Sequence, residues 1–266
     1  MAGRRAARDA ISRDQWAALI SARNADSESG ARRAAAREKT PITVERIIDA
    51  ALQAVEAGGF EDLTMRMVAT RLGTGPASLY AHVRNRAELG DLLIGRLCSR
   101  VALPAPDPAC WREQFMDVCA QLRDQFLRYP GIAQAALTVV PADLATLRVG
   151  EGMLAILLAS GAPAQQAAWA GDAAFLYITG YCLEAAAARR QGEDVDGRVI
   201  DRAEIEERLR MLPPDLFPHT VAHARELTSG TGHDRFTFTL TLLLQGLVPP
   251  PSVSGPGHRH PPLPGR

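Results

Sequence analysis

Residues 63–86 constrain the fold of this chain more than any other stretch; they read LTMRMVATRLGTGPASLYAHVRNR. Two short helices with a tight glycine turn between them follow from this text. Thr64 stands where a helix N-cap belongs, with Leu63 before it and Val68 placed to close a hydrophobic staple. Gly73 can take the left-handed conformation that ends the first helix. Pro76 falls in the first turn of the next, where its missing N–H costs nothing. This is helix-turn-helix punctuation, and in that motif the second helix lies in the major groove of DNA.

The flanks extend the unit. Val44, Ile47, Ile48, Ala51, Leu52 and Val55 recur at helical spacing. That helix starts after Thr43, carries Glu45 in its first turn and stops at Gly58-Gly59. Downstream, Asn85 followed by Glu88 reads as a capping-box-like start, leading into Leu89, Leu92, Leu93 and Leu97. The spacing predicts three small packed helices and a long fourth one leaving them.

The run from Ile47 to Leu93 resembles the DNA-binding domain of TetR-family transcriptional regulators. The matching text is Ala50-Ala51-Leu52, Gly58-Gly59-Phe60, Leu63-Thr64-Met65-Arg66, Ala69, Leu72-Gly73, Leu79-Tyr80, His82-Val83, Asn85 and Leu89. The rest of the chain resembles the family only in helical character and size. The resemblance implies an all-α protein. An N-terminal three-helix helix-turn-helix DNA-binding domain precedes a helical ligand-binding and dimerisation domain. It also implies which side chains meet DNA. Thr64 and Arg66 open the second helix, and Pro76, Ala77 and Ser78 open the recognition helix. Tyr80, His82 and Arg86 are expected at phosphates. Gly75-Pro76-Ala77 departs from the larger polar residues common in relatives. Base reading would therefore lean on methyl contacts, Arg66 and DNA shape.

Composition bounds the remainder. Hydrophobic residues make up 47% of the 266, ample for a core, whereas aromatics are sparse at 5%. Formal net charge is zero, but residues 1–40 carry nine Arg/Lys against five Asp/Glu. Positive charge on the right face is what DNA binding needs, not a basic total. The expected division is a basic, largely disordered extension at 1–40 and a DNA-binding domain with its linking helix at 41–101. A helical effector and dimerisation domain at 107–247 and a disordered Pro/Gly/His-rich tail at 248–266 follow. Arg32, Arg33, Arg37 and Lys39 in the extension belong either to a solvated tail or to an arm that contacts phosphates or the minor groove. Apolar runs are too short to span a membrane and no secretion signal is evident, so a cytoplasmic protein is expected. Cys98, Cys110, Cys119 and Cys182 lack metal or disulfide spacing.

Leu103-Pro104-Ala105-Pro106-Asp107-Pro108 reads as a stiff break before the second domain. Helices are expected at 111–129, 142–160, 165–190 and 201–212, with another near 220–227. Residues 236–247 alternate like a strand, yet Phe236, Leu240, Leu243, Leu244 and Leu247 also fit a helical face. With no partner strand in the text, helix is the reading. Phe115, Cys119, Phe126, Trp169, Phe175, Tyr177 and Tyr181 are the candidate lining of an effector pocket between helices. Glu184 either orients a ligand or pairs with an arginine. No histidine near the end of the fourth helix is placed to hold a metal-bound drug, and no cofactor is expected.

A single helix-turn-helix reads few bases, so a homodimer on a pseudo-palindromic double-stranded operator is expected. The resemblance implies that two C-terminal helices make the dimer contacts, and the helices at 165–190 and 236–247 are the candidates. The functional expectation is a repressor released from its operator by a small molecule. A redox-responsive regulator using Cys98, Cys110 or Cys119 is the alternative, and needs an exposed low-pKa thiol. An enzyme is disfavoured: no nucleophile elbow, phosphate loop or metal-spaced His/Cys set is present.

Overall fold

The computed structural model describes residues 41–138, 143–190 and 202–247, together with Ala18. The expected extension at 1–40, Ala18 apart, and the expected tail at 248–266 lie outside the described residues. Every regular element described is helical.

α1 (Val44–Gly58) begins at Thr43, whose hydroxyl accepts from the Arg46 N–H at 3.3 Å. Its buried face is Ile47, Ile48, Ala51, Leu52 and Val55, as the periodicity predicts, joined by Ala50 and Ala54. α2 (Met65–Arg71) is capped by Thr64, with Leu63 and Val68 both buried as the staple requires. It ends in a Schellman arrangement: Thr74 N–H donates to the Ala69 carbonyl and Gly73 N–H to that of Thr70. Gly73 supplies the φ of +66° this ending demands. α3 (Pro76–Tyr80) follows at once, with Pro76 in its first turn. α4 (Arg86–Cys98) starts at Asn85, which accepts from Glu88 N–H at 2.9 Å.

The proline-rich stretch after α4 is an ordered strap, not a bare break. α5 (Trp111–Arg128) presents Gln114 and Gln121 seven residues apart, two turns along one face. Gln121 accepts from Ala102 N–H at 2.7 Å and donates back to the Ala102 carbonyl. Gln114 accepts from Asp107 N–H and donates to the Ala105 carbonyl. The two amides thus satisfy the polar backbone of a segment that cannot form a helix of its own.

α5 buries Phe115, Val118, Cys119, Leu122 and Phe126 on one face. A short α6 (Ala133–Thr138) follows Gly131 and was not anticipated. α7 (Leu144–Ala159) starts at Asp143, two residues later than expected, because Asp143 supplies the N-cap by accepting from Ala145 N–H. α8 (Ala164–Arg190) buries a seam of Ala167, Ala170, Ala174, Ile178, Tyr181, Cys182 and Ala185. α9 (Arg202–Arg210) precedes two short helices, α10 (Pro218–Ala222) and α11 (Ala224–Thr228), broken at His223 where one was expected. These three pack mainly on one another and leave Met211, Leu216 and Leu227 exposed. α12 (Gly232–Gln245) resolves the strand-or-helix ambiguity as helix. A full capping box between Thr231 and Asp234 fixes its start, and Phe236, Leu240 and Leu244 form its buried seam.

α4 joins the two halves. It packs against α1 on one side and against α5, α6 and α7 on the other. Leu89, Leu93 and Leu97 are fully buried, and one continuous core runs from Ile47 to Leu247. Arg148 of α7 donates to the Cys98 and Val101 carbonyls, closing the C-terminal end of α4. Gly95 admits α7 to close approach, since a Cβ there would collide with the Asp143 carboxylate. Gly95→Val should therefore lower stability by about 1–3 kcal/mol through overpacking. Gly150→Ala, in open space on α7, should raise it by about 0.5–1 kcal/mol. Denaturant melts at fixed protein concentration read both signs.

Candidate nucleic-acid interface and effector site

The helix-turn-helix exposes its expected DNA-facing residues around one buried anchor. Leu79 is the buried anchor of the five-residue α3, and burying it fixes which way the others point. Thr64, Arg66, Pro76, Ala77, Tyr80 and His82 are exposed around it, Tyr80 at 53%, and Ser78 is half-buried. Two hydroxyl contacts stiffen this face. Thr70 donates to the Arg66 carbonyl, and Thr74 bonds Ser78 side chain to side chain at 3.0 Å. The Thr74 contact escaped the sequence reading. A threonine four residues before Ser78, across a glycine turn, was the available signal.

Arg86, expected at a phosphate, also has partners within the chain. Its guanidinium donates to the Phe60 carbonyl at 2.6 Å and to that of Glu61 at 3.1 Å, and lies 4.8 Å from the Phe60 ring centroid. These carbonyls close the α1–α2 turn, so Arg86 ties the start of α4 to that turn while the residue stays exposed. Arg84 is held by Glu88, which also accepts from the Arg84 N–H at 2.7 Å.

The α1–α2 turn also meets the second half of the chain. Phe60 N–H donates to the Pro130 carbonyl at 2.8 Å. Glu56 pairs with Arg128 at 3.2 Å, and Glu61 pairs with Arg190 at the end of α8. The hydrogen bond from Arg190 holds the Glu61 carboxyl below the usual carboxylate range.

The seven candidate pocket residues do not form one lining. Phe115, Cys119 and Phe126 share the buried face of α5. Trp169 stands 67% exposed on the outside of α8, because it lies off the 167–170–174–178 seam. Phe175 is half-buried. Tyr177 and Tyr181 belong to an aromatic joint between α8 and α12, with ring centroids 5.7 and 5.1 Å from that of Phe236. Arg123 lies 4.7 Å from the Phe236 centroid and pairs with Asp124, keeping a nearly buried cation compensated. Glu184 takes the arginine-pairing alternative, meeting Arg235 at 2.8 Å. Gln125 Oε1 on α5 is buried with no hydrogen-bond partner among the described residues.

The thiols are unsuited to redox sensing. Burial pushes Cys98 up to about 11 and Cys182 to about 12, and pushes Cys119 further up. Cys110 is also raised, by desolvation and then by Asp107 and Glu113. None is a low-pKa thiol, so the redox alternative is not supported.

Comparison with known proteins agrees with this architecture. The family profile described as "Bacterial regulatory proteins, tetR family" matches residues 47–91. "Tetracyclin repressor-like, C-terminal domain" matches 103–249. The HTH-type transcriptional repressor DrrR1 of Streptomyces coeruleorubidus is 28% identical over 227 residues, 81% of each chain. The class G tetracycline repressor protein of Vibrio anguillarum is 29% identical over 209 residues, covering 78% of this chain and 94% of its own. Among solved structures, apo ActR of Streptomyces coelicolor is 33% identical with a TM-score of 0.69, over 78% of this chain and 95% of that one. ActR in complex with actinorhodin matches with a TM-score of 0.70, at 33% identity over 78% of this chain and 96% of that one.

The chain belongs to the TetR family of bacterial transcriptional regulators. Within that family it is a DNA-binding transcriptional repressor.

The buried thiols also set a pH dependence. Their folded-state values lie above the ordinary 9.0, so the native state holds these protons more tightly than the unfolded chain. The associated stability is full below pH 9 and falls as pH rises toward about 11. At neutral pH, Cys98, Cys119 and Cys182 should resist alkylation until the protein unfolds. Mass-spectrometric counting of labelled thiols with and without denaturant tests this.

Proposed function

We propose that the chain acts as a homodimer whose two recognition helices occupy successive major grooves of a pseudo-palindromic operator, and that a small apolar or amphipathic molecule releases it. The observation that carries the dimer is a second apolar face on the same helices that build the core. Outward from α8 stand Trp169 and Leu176, and outward from α12 stand Phe238 and Leu242, exposed at 67%, 52%, 63% and 52%. Large apolar side chains aligned on two neighbouring helices mark an interaction surface. In a two-fold symmetric dimer this patch would meet the same patch of the second copy. Trp169 is thereby reassigned from pocket to interface.

In this reading Thr64, Arg66, Pro76, Ala77, Ser78, Tyr80 and His82 face DNA. Arg66 offers a planar donor fork for a base edge or phosphate. Arg86 instead holds the reading head to α4. The division into a DNA-binding unit through Val101 and an effector unit from Asp107 follows the strap that runs along α5. The chain works as a regulator, with no catalytic role assigned to any residue.

The effector would enter between α5, α7 and α8, where Phe115, Cys119 and Phe126 supply apolar wall. The unpaired Gln125 Oε1 supplies an acceptor for a ligand donor; leaving such an atom buried and unpaired costs about 1–3 kcal/mol, which a bound donor would recover. The relative ActR has been solved in complex with (S)-DNPA and with actinorhodin, which supports a ligand site in this half of the chain.

Three outcomes test the proposal. Arg66→Ala should weaken operator binding by about 1–3 kcal/mol at matched salt with the fold intact, and relax preference at one position per half-site if it reads a base. Leu242→Glu should shift the protein to monomer in sedimentation, and a wild-type protein that sediments as monomer would remove the dimer. In a thermal-shift screen, a stabilising molecule that is the effector should lower operator affinity, typically by roughly 5- to 150-fold. Operator must lower affinity for that molecule by the same factor.

A further inference from the structure

We infer that the joint between the Phe60 turn and the Pro130 turn is a positioning device that sets the half-site spacing the protein accepts. The inference rests on the homodimer reading.

A helix-turn-helix unit carried by α4 alone would have one axle about which to swivel. This unit has a second attachment. The Phe60 N–H donates to the Pro130 carbonyl at 2.8 Å. The two turns approach backbone to backbone. Gly59 and Gly131 have φ of +88° and +78°, and a Cβ on either would sit 3.6 Å from the opposite turn's backbone. Ion pairs flank this contact: Glu56 with Arg128, and Glu61 with Arg190. Arg86 locks the same turn to α4 through the Phe60 and Glu61 carbonyls. Gly90 lets the Phe60 ring lie against α4, with its Cβ direction 3.3 Å from the ring edge.

Arg190 is the last residue of α8, the helix assigned to the dimer face. Its neighbour Arg189 donates to the Leu127 carbonyl, fixing the end of α8 to α5. Each reading head is thus referenced to the dimer axis by a route separate from α4. In a dimer the separation of the two recognition helices depends on where each unit sits relative to that axis. Half-site spacing is the DNA-side reading of the same length. Glu56, Glu61, Arg128 and Arg190 are positioning residues, since none is among the residues assigned to DNA.

The test uses the full chain and an operator selected from random DNA, with the spacer between half-sites lengthened and shortened by one and two base pairs. Wild type should bind the selected spacer best. Arg128→Glu/Arg190→Glu should narrow the ratio between selected and altered spacers, by roughly two- to five-fold for each pair lost, the span that exposed ion pairs carry. Adding Glu56→Arg/Glu61→Arg should restore the ratio. In wild type, added salt should narrow it as well, because phosphate contacts are common to all spacers and cancel, whereas the ion pairs are screened. This second measurement serves if the charge-reversed variant does not fold. An unchanged ratio in the folded variant overturns the inference. So does equal weakening at every spacer, or failure of the four-fold variant to restore the ratio. If the variant does not fold, a wild-type ratio indifferent to salt overturns it. A wild-type protein indifferent to spacer overturns the homodimer reading, and this inference with it.

Discussion

The structure depends on the burial of α4 on nearly all sides. Leu89, Leu93, Ile94 and Leu97 are each at most 4% exposed, and Gly90 and Gly95 provide the notches where neighbours come close. A helix buried in this way cannot belong to one half alone. Removing Leu93 to alanine would cost about 2–5 kcal/mol, a large part of an ordinary domain's stability, and both halves would feel it. Close-packed interiors do not deform smoothly, so a displacement of α7 or α5 is passed to α4 as a shift of packed side chains. That is the physical basis for coupling an event in the second half to the reading head.

The reading head itself is economical. α3 has five residues and a single buried side chain, far too little to be stable as an isolated helix. It is held by what surrounds it: the Schellman turn at Gly73, Pro76 in its first turn and the Thr74–Ser78 hydroxyl pair. In the proposed reading, small residues at Pro76 and Ala77 would bring the backbone near the groove floor and leave few donors for base edges. Specificity in that reading would rest more on geometry, including where the two heads of a dimer sit, than on side-chain hydrogen bonds.

Punctuation made the first half legible. Thr43, Thr64, Gly73, Pro76 and Asn85 each act locally, so their roles follow from spacing alone, and the buried faces of α1 and α5 follow from periodicity. The second half was less legible for three physical reasons. α8 and α12 are apolar on two faces, so periodicity could not say that Trp169 points outward while Tyr181 points inward. The strap at 102–107 is ordered by Gln114 and Gln121, long-range partners that carry no sequence signature. Glu184 had two plausible partners, and the placement of Arg235 decided between them; the reach of Arg86 to the Phe60 and Glu61 carbonyls spans 26 and 25 residues and carries no local signal.

One core runs through both halves, with α4 at its centre. Native-state hydrogen exchange of the free protein tests it most directly. Amides of Ile47–Ala54 in α1 and of Val118–Leu122 in α5 should reach the same opening free energy, equal to that of global unfolding, with α4 protected to the same level. Exchange of the α1 amides through an opening far cheaper than that of α5 would show a reading head that unfolds on its own, and would contradict the account.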